Sequence, residues 1–149
     1  MYDKTRFIIY LLLSALLVLL SCGNQQNDSF NFTGEWTIEA YQLYSEVEGE
    51  VLNDQTYKDA GFFRFMNNGS GTATIQIPGI SLPQNNPISW SYHQESDQFT
   101  IDYNTGQDPF IYHVSLQSKD CVQLLNDRAT QSDDSTSLLR TIIEISKKS

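Results

Sequence analysis

Basic side chains are scarce in this chain: Lys and Arg number 9 against 18 Asp and Glu, with 2 His, for a formal charge of −9. Such a surface repels phosphate backbones and anionic headgroups, which excludes nucleic acid and adsorption to acidic lipid. Cysteine is nearly absent too, at 2 residues, so at most one internal disulfide can close and the fold must rest on burying a core. No serine stands in a Gly-x-Ser-x-Gly elbow, and no glycine-rich loop of the phosphate-binding kind opens a helix. Neither an internal repeat nor a sustained 3.6-residue hydrophobic period is visible after residue 35, so little helix is expected.

What is present starts with an address. Lys4 and Arg6 precede an uncharged run from Phe7 to Leu20, the pattern of a signal-peptide hydrophobic region. As a helix these 14 positions reach about 21 Å, short of the roughly 30 Å of hydrocarbon that a permanent span crosses. Leu19, Leu20, Ser21 and Cys22 resemble the bacterial lipobox, with Leu20 bulkier than is usual there. The resemblance implies a signal peptide over 1–21, cleavage after Ser21, and acylation of Cys22 with palmitate-like chains. Gly23, where an Asp would favour inner-membrane retention, points by the same sorting logic to the outer membrane. Burial of acyl chains gains about 0.8 kcal/mol per CH₂, so two or three chains hold a protein durably. Residues 22–31 then read as a polar tether, whose eight flexible residues span about 16 Å on average. Without 1–21, 7 basic and 17 acidic side chains remain, a charge of −10. With Cys22 acylated, Cys121 is left without a disulfide partner.

Residues 32–149 alternate with a period of two. Trp36, Ile38 and Ala40 alternate with Thr37 and Glu39; Phe63 and Phe65 flank Arg64; Ile88, Trp90 and Tyr92 alternate with Ser89, Ser91 and His93; Phe99, Ile101 and Tyr103 are followed by Phe110, Tyr112 and Val114. About eight such segments are separated by turn chemistry, as at Asn67 to Gly71, Glu95 to Asp97 and Ser118 to Asp120. Longer connections are expected at 78–87, 104–109 and 127–136, and 46–60 reads as a short helix or an Ω-like excursion. Tight turns between consecutive strands make them antiparallel. The expected fold is all-β: one antiparallel up-and-down barrel of about eight strands, which also removes open edges, with a β-sandwich as the alternative.

The opening Phe32-Thr33-Gly34-Glu35-Trp36 resembles the Gly-x-Trp start of lipocalins. Phe65 to Thr72, read as Phe-x-x-Asn-Gly-x-Gly-Thr, is similar to a hairpin of the lipocalin-like domains carried by Gram-negative lipoproteins. The resemblance runs from about Phe30 to Ser146. It implies that Trp36 closes the bottom of a barrel and that an arginine packs across it, Arg140, with Arg128 as the alternative. The chain is shorter than classical lipocalins and lacks a clear Thr-Asp-Tyr loop.

Candidate chemistry is thin. His93 and His113 share faces with serines and should point outward about 9.6 Å apart, too far for one metal ion. Cys121 has no basic setting that would make a reactive thiolate. Asp102, Asn104, Gly106 and Asp108 carry alternate oxygens, but the glycine falls one place early for an EF-hand and the bidentate Glu is missing. No metal, cofactor or catalytic residue is assigned. The expected interior is Trp36, Phe63, Phe65, Trp90, Phe99, Tyr103, Phe110 and Tyr112, forming either a cavity for a small hydrophobic ligand or a plug of rings. The sequence therefore points to a membrane-anchored, non-enzymatic envelope module that binds such a ligand or an envelope protein; an enzyme acting on a lipid or glycan is the alternative.

Overall fold

The computed structural model describes residues 30–132 and 135–148. The expected signal peptide, Cys22 and most of the expected tether lie outside the described residues. Nine strands follow one another: β1 (Gly34–Val47), β2 (Glu50–Phe65), β3 (Ser70–Ile77), β4 (Ile80–Ser81), β5 (Asn86–His93), β6 (Gln98–Asp102), β7 (Phe110–Ser118), β8 (Cys121–Ser132) and β9 (Ser135–Lys147). One 3-10 turn, Gln94–Ser96, is the helical element among the described residues.

Every pairing is antiparallel and, β4 and the β1–β9 closure aside, joins neighbours in sequence. β9 returns to β1, with Trp36 opposite Lys147, and β2 meets β3 from Gly61 opposite Ile75 to Phe65 opposite Gly71. The ring of eight strands is thereby closed, an up-and-down barrel and not a sandwich. The two-residue β4 pairs only with β3, inside the 78–87 connection.

Two sequence expectations are corrected by turn chemistry. The 46–60 stretch is neither helix nor Ω-loop: β1 runs on to Val47, Glu48 and Gly49 turn with φ of 53° and 83°, and β2 returns. Two consecutive positive φ values make the tight turn whose twist suits a hairpin. Likewise most of 127–136 belongs to β8 and β9 and not to a loop. These long strands stand past the barrel as a four-stranded extension, its tips joined by Glu48 N–H donating to the Thr136 carbonyl at 2.9 Å.

A third correction concerns the alternation. Against β2 and β9 alike, β1 shifts register between Ile38 and Ala40. The extra residue, Glu39, points out and donates nothing to the core; its carboxylate accepts from the Ser146 hydroxyl. A bulge of this kind bends the strand and moves every later side chain to the other face. Tyr41 and not Ala40 therefore turns inward, and it is 5% exposed.

Candidate functional site

The interior divides into two ring clusters at different heights. The lower one gathers Phe32, Trp36, Phe63, Phe65, Trp90 and Phe99, with centroid separations such as 4.3 Å for Phe32 and Phe99 and 5.4 Å for Phe63 and Phe65. Trp36, Phe63 and Phe99 are fully buried, while Trp90 is half-buried and closes the base with its Nε1 donating to the Ser70 carbonyl at 2.9 Å. Phe30 belongs here as well, 4.7 Å from Phe32, so the packed domain reaches into the last residues of the tether. Phe32 enters from below and touches six other rings, which makes this half of the barrel solid.

The upper cluster is Tyr103, Phe110 and Tyr112. Phe110 lies 5.6 Å from Tyr103 and 6.3 Å from Tyr112, and the two phenol oxygens are 3.5 Å apart. Tyr41 stands close enough to bear on both electrostatically. Burial pushes the Tyr41 hydroxyl up to about 12 and those of Tyr103 and Tyr112 upward as well, so all three phenols are neutral, hydrogen-bonding groups at ordinary pH.

Above these phenols the barrel is not filled. A cleft of about 400 Å³ opens there, walled by Tyr41, Ile75, Ile80, Leu82, Tyr103 and Phe110 and rimmed by Gly79, Thr105 and Gln107. Its rim is held by specific bonds. Asn86, buried, donates to the Tyr103 carbonyl at 2.7 Å; Asn104 donates to the Pro87 carbonyl at 3.0 Å; and Asn85 N–H donates to the Thr74 hydroxyl at 3.0 Å. Asp102, considered above as a cation ligand, accepts from Asn104 N–H at 2.7 Å and so builds an ordinary turn that carries Thr105 and Gln107 to the rim. A smaller recess of about 290 Å³ lies at the base beside Phe30, Asn67 and Tyr92.

Of the eight rings expected inside, Trp36, Phe63, Phe65, Trp90 and Phe99 build the floor of the molecule, and only Tyr103 and Phe110 line the cleft, with Tyr112 beneath them. The expected arginine over Trp36 is not there. Arg140 stands on the outer face, bound to Asp127 through Nε at 2.8 Å and Nη2 at 2.9 Å, which holds the Asp127 carboxyl below its usual range. Arg128 lies 4.4 Å over Phe110, and the cation above the indole is Lys147, 5.6 Å from its centroid. The physical reason is register: Trp36 pairs with Lys147, whereas Arg140 pairs with Tyr44 far up the same ladder. His93 and His113 are exposed on the outer face, in one row with Gln98 between them. Cys121 is half-buried at the base and free of any disulfide.

No protein-family model matches the chain, and no curated protein matches its sequence. Two solved structures resemble it in shape. One is a bovine odorant-binding protein, a deswapped triple mutant, at 12% identity and a TM-score of 0.38 over 74% of this chain and 72% of that one. The other is a multidomain protein including DUF1735 from Bacteroides ovatus, at 10% identity and a TM-score of 0.38 over 77% of this chain; the match spans 48%, about half, of that larger protein.

Proposed function

We propose that this chain is a membrane-anchored binding module that holds a small, mainly apolar molecule in its upper cleft and performs no chemistry on it. The observation that carries the reading is the contrast between the two halves of the barrel: rings pack the lower half solid, while about 400 Å³ stays open above the tyrosines. That volume falls in the range of small-molecule sites, roughly 300–1,000 Å³, and its mixture of aliphatic walls with a few convergent hydroxyl and amide groups is the composition of such sites. Among the described residues no carboxylate, imidazole or thiol lines it, and its phenols are poor proton donors or acceptors at neutral pH.

Acylated Cys22 and the residues up to 29 complete the proposal. Phe30 and Phe32 enter at the closed base, so the proposed tether would join the barrel at the end away from the cleft, while its flexibility leaves the domain's orientation to the bilayer free. The outer membrane is the proposed location. A second reading, docking of an envelope protein, draws on the four-stranded extension, where Val51 and Leu52 are 53% and 64% exposed.

Native mass spectrometry of the chain released from membranes tests the first reading. The expected spectrum contains a small apolar adduct on the parent that is lost from Ile80→Trp, which fills the cleft. Bare protein in both preparations would dismiss it. In parallel, Cys22→Ala should abolish palmitate labelling and membrane retention.

A further inference from the structure

The cleft has an apolar wall that also bears a cation. Phe110 contributes its ring to the cleft, and the guanidinium of Arg128 rests 4.4 Å from the centroid of that ring. The alternation of β8 places Arg128 on the inner face, after buried Leu124 and Asn126. At the level of Tyr41 to Ser45, the inward positions of β1 and their partners on β2, β9 and β8 are aliphatic, aromatic or uncharged polar, with Arg128 the one exception. Its cross-strand partner there is Leu139, an apolar residue that is 46% exposed.

Arg128 differs from the two cations of this acidic chain that are held in ion pairs. Arg140 is paired with Asp127 and Lys148 with Glu35, both on the outer surface, whereas no carboxylate among the described residues forms an ion pair with Arg128. A guanidinium offers a planar fork of donors matched to carboxylate, sulfate or phosphate oxygens, and stacking on an aromatic ring leaves that fork free at its edge. An apolar cleft beside a guanidinium that pairs with no carboxylate among the described residues has the chemistry of a site for a molecule with a greasy body and one acidic head.

We infer that the ligand of this cleft is an anionic amphiphile, its apolar body between Tyr41, Ile75, Ile80 and Phe110 and its acidic head on Arg128. The inference rests on the cleft being a binding site and names the class of molecule that enters it. It also gives the acidic surface a selective role: anions are repelled in general and retained only where an apolar body brings them to this one cation.

The test uses the full chain in nanodiscs of neutral phosphatidylcholine, with empty nanodiscs as reference, and calorimetric titration of octyl sulfate, octanol, octyltrimethylammonium and inorganic sulfate. Octyl sulfate should bind about tenfold more tightly than octanol, equivalent to about 1.4 kcal/mol, with the cationic analogue and free sulfate weaker than either. Arg128→Gln should erase the advantage of octyl sulfate and leave octanol unchanged; Arg128→Lys should retain part of it; Arg140→Gln should retain all of it. Equal binding of octyl sulfate and octanol, an advantage that survives Arg128→Gln, or free sulfate matching octyl sulfate overturns the inference while leaving an apolar site in place. Binding of none of the amphiphiles overturns the inference together with the binding function on which it rests.

Discussion

Trp36 donates its indole N–H to the carbonyl of Phe32 at 2.6 Å, a buried bond between the first barrel strand and the residues that precede it. The bond satisfies the one polar atom of the indole inside an apolar cluster and fixes the approach of the chain from below. Phe32 is 1% exposed and touches Trp36, Phe65, Trp90, Tyr92 and Phe99, so it behaves as a core residue although it lies outside any strand.

Phe32→Ala should therefore cost about 3–5 kcal/mol, the range for deleting a buried phenylalanine. Urea unfolding followed by tryptophan fluorescence measures it. An unchanged midpoint would show that Phe32 is a loose end and not a plug.

The closed barrel was legible because hairpin turns such as Asn67 to Gly71 are short and Ile88 to Tyr92 or Phe99 to Tyr103 alternate cleanly. The cleft was less so. Its key wall residue, Tyr41, lies beyond the bulge at Glu39, and a one-residue insertion inverts every later assignment along β1. Ile80, Leu82, Thr105 and Gln107 come from connections, where no period exists to read. The sequence marks Arg128 only as an alternative partner for Trp36, the wrong ring, since sequence alone does not fix which residue of β8 stands beside Phe110 of β7.

Lys147 and not Arg140 should couple to the indole. A double-mutant cycle of Trp36→Phe with Lys147→Met should return about 0.5–2 kcal/mol, as for a cation over an aromatic face. The same cycle with Arg140→Gln should return nothing, and Arg140→Gln alone should cost under about 1 kcal/mol because its ion pair with Asp127 is on the surface. Coupling at Arg140 instead of Lys147 would mean that β9 sits in a different register.

The buried phenols predict a weakness at high pH. Tyr41 is raised from 10.0 to about 12 in the folded chain, so its contribution is fully present below pH 10 and is lost as the unfolded state ionises while the folded state holds its proton. Between about pH 10 and 12 the parent should lose stability faster than Tyr41→Phe, by at most about 1.4 kcal/mol per pH unit. Urea midpoints at several alkaline pH values give both slopes, and identical slopes would place the Tyr41 hydroxyl in water.

Gly61 marks the seam where the barrel closes, and it tolerates no side chain. It pairs with Ile38 on one side and opens the β2–β3 ladder opposite Ile75 on the other. Its φ is +130°, a conformation that L side chains rarely adopt, and a Cβ built there would fall 1.9 Å from the Thr74 carbonyl oxygen, which belongs to backbone and has nowhere to yield. Gly49, at the hairpin tip, has φ of +83° but nothing within 4 Å of the same position. Gly49→Ala should consequently cost only the conformational strain, about 1–3 kcal/mol, while Gly61→Ala adds the overlap, a further 1–3 kcal/mol or more. Because Ile75 walls the cleft, forcing β2 and β3 apart also distorts the site: Gly61→Ala should lose the bound adduct under conditions where it remains folded, and Gly49→Ala should keep it. Equal stability losses in the two variants would mean that the β2–β3 seam is open in solution.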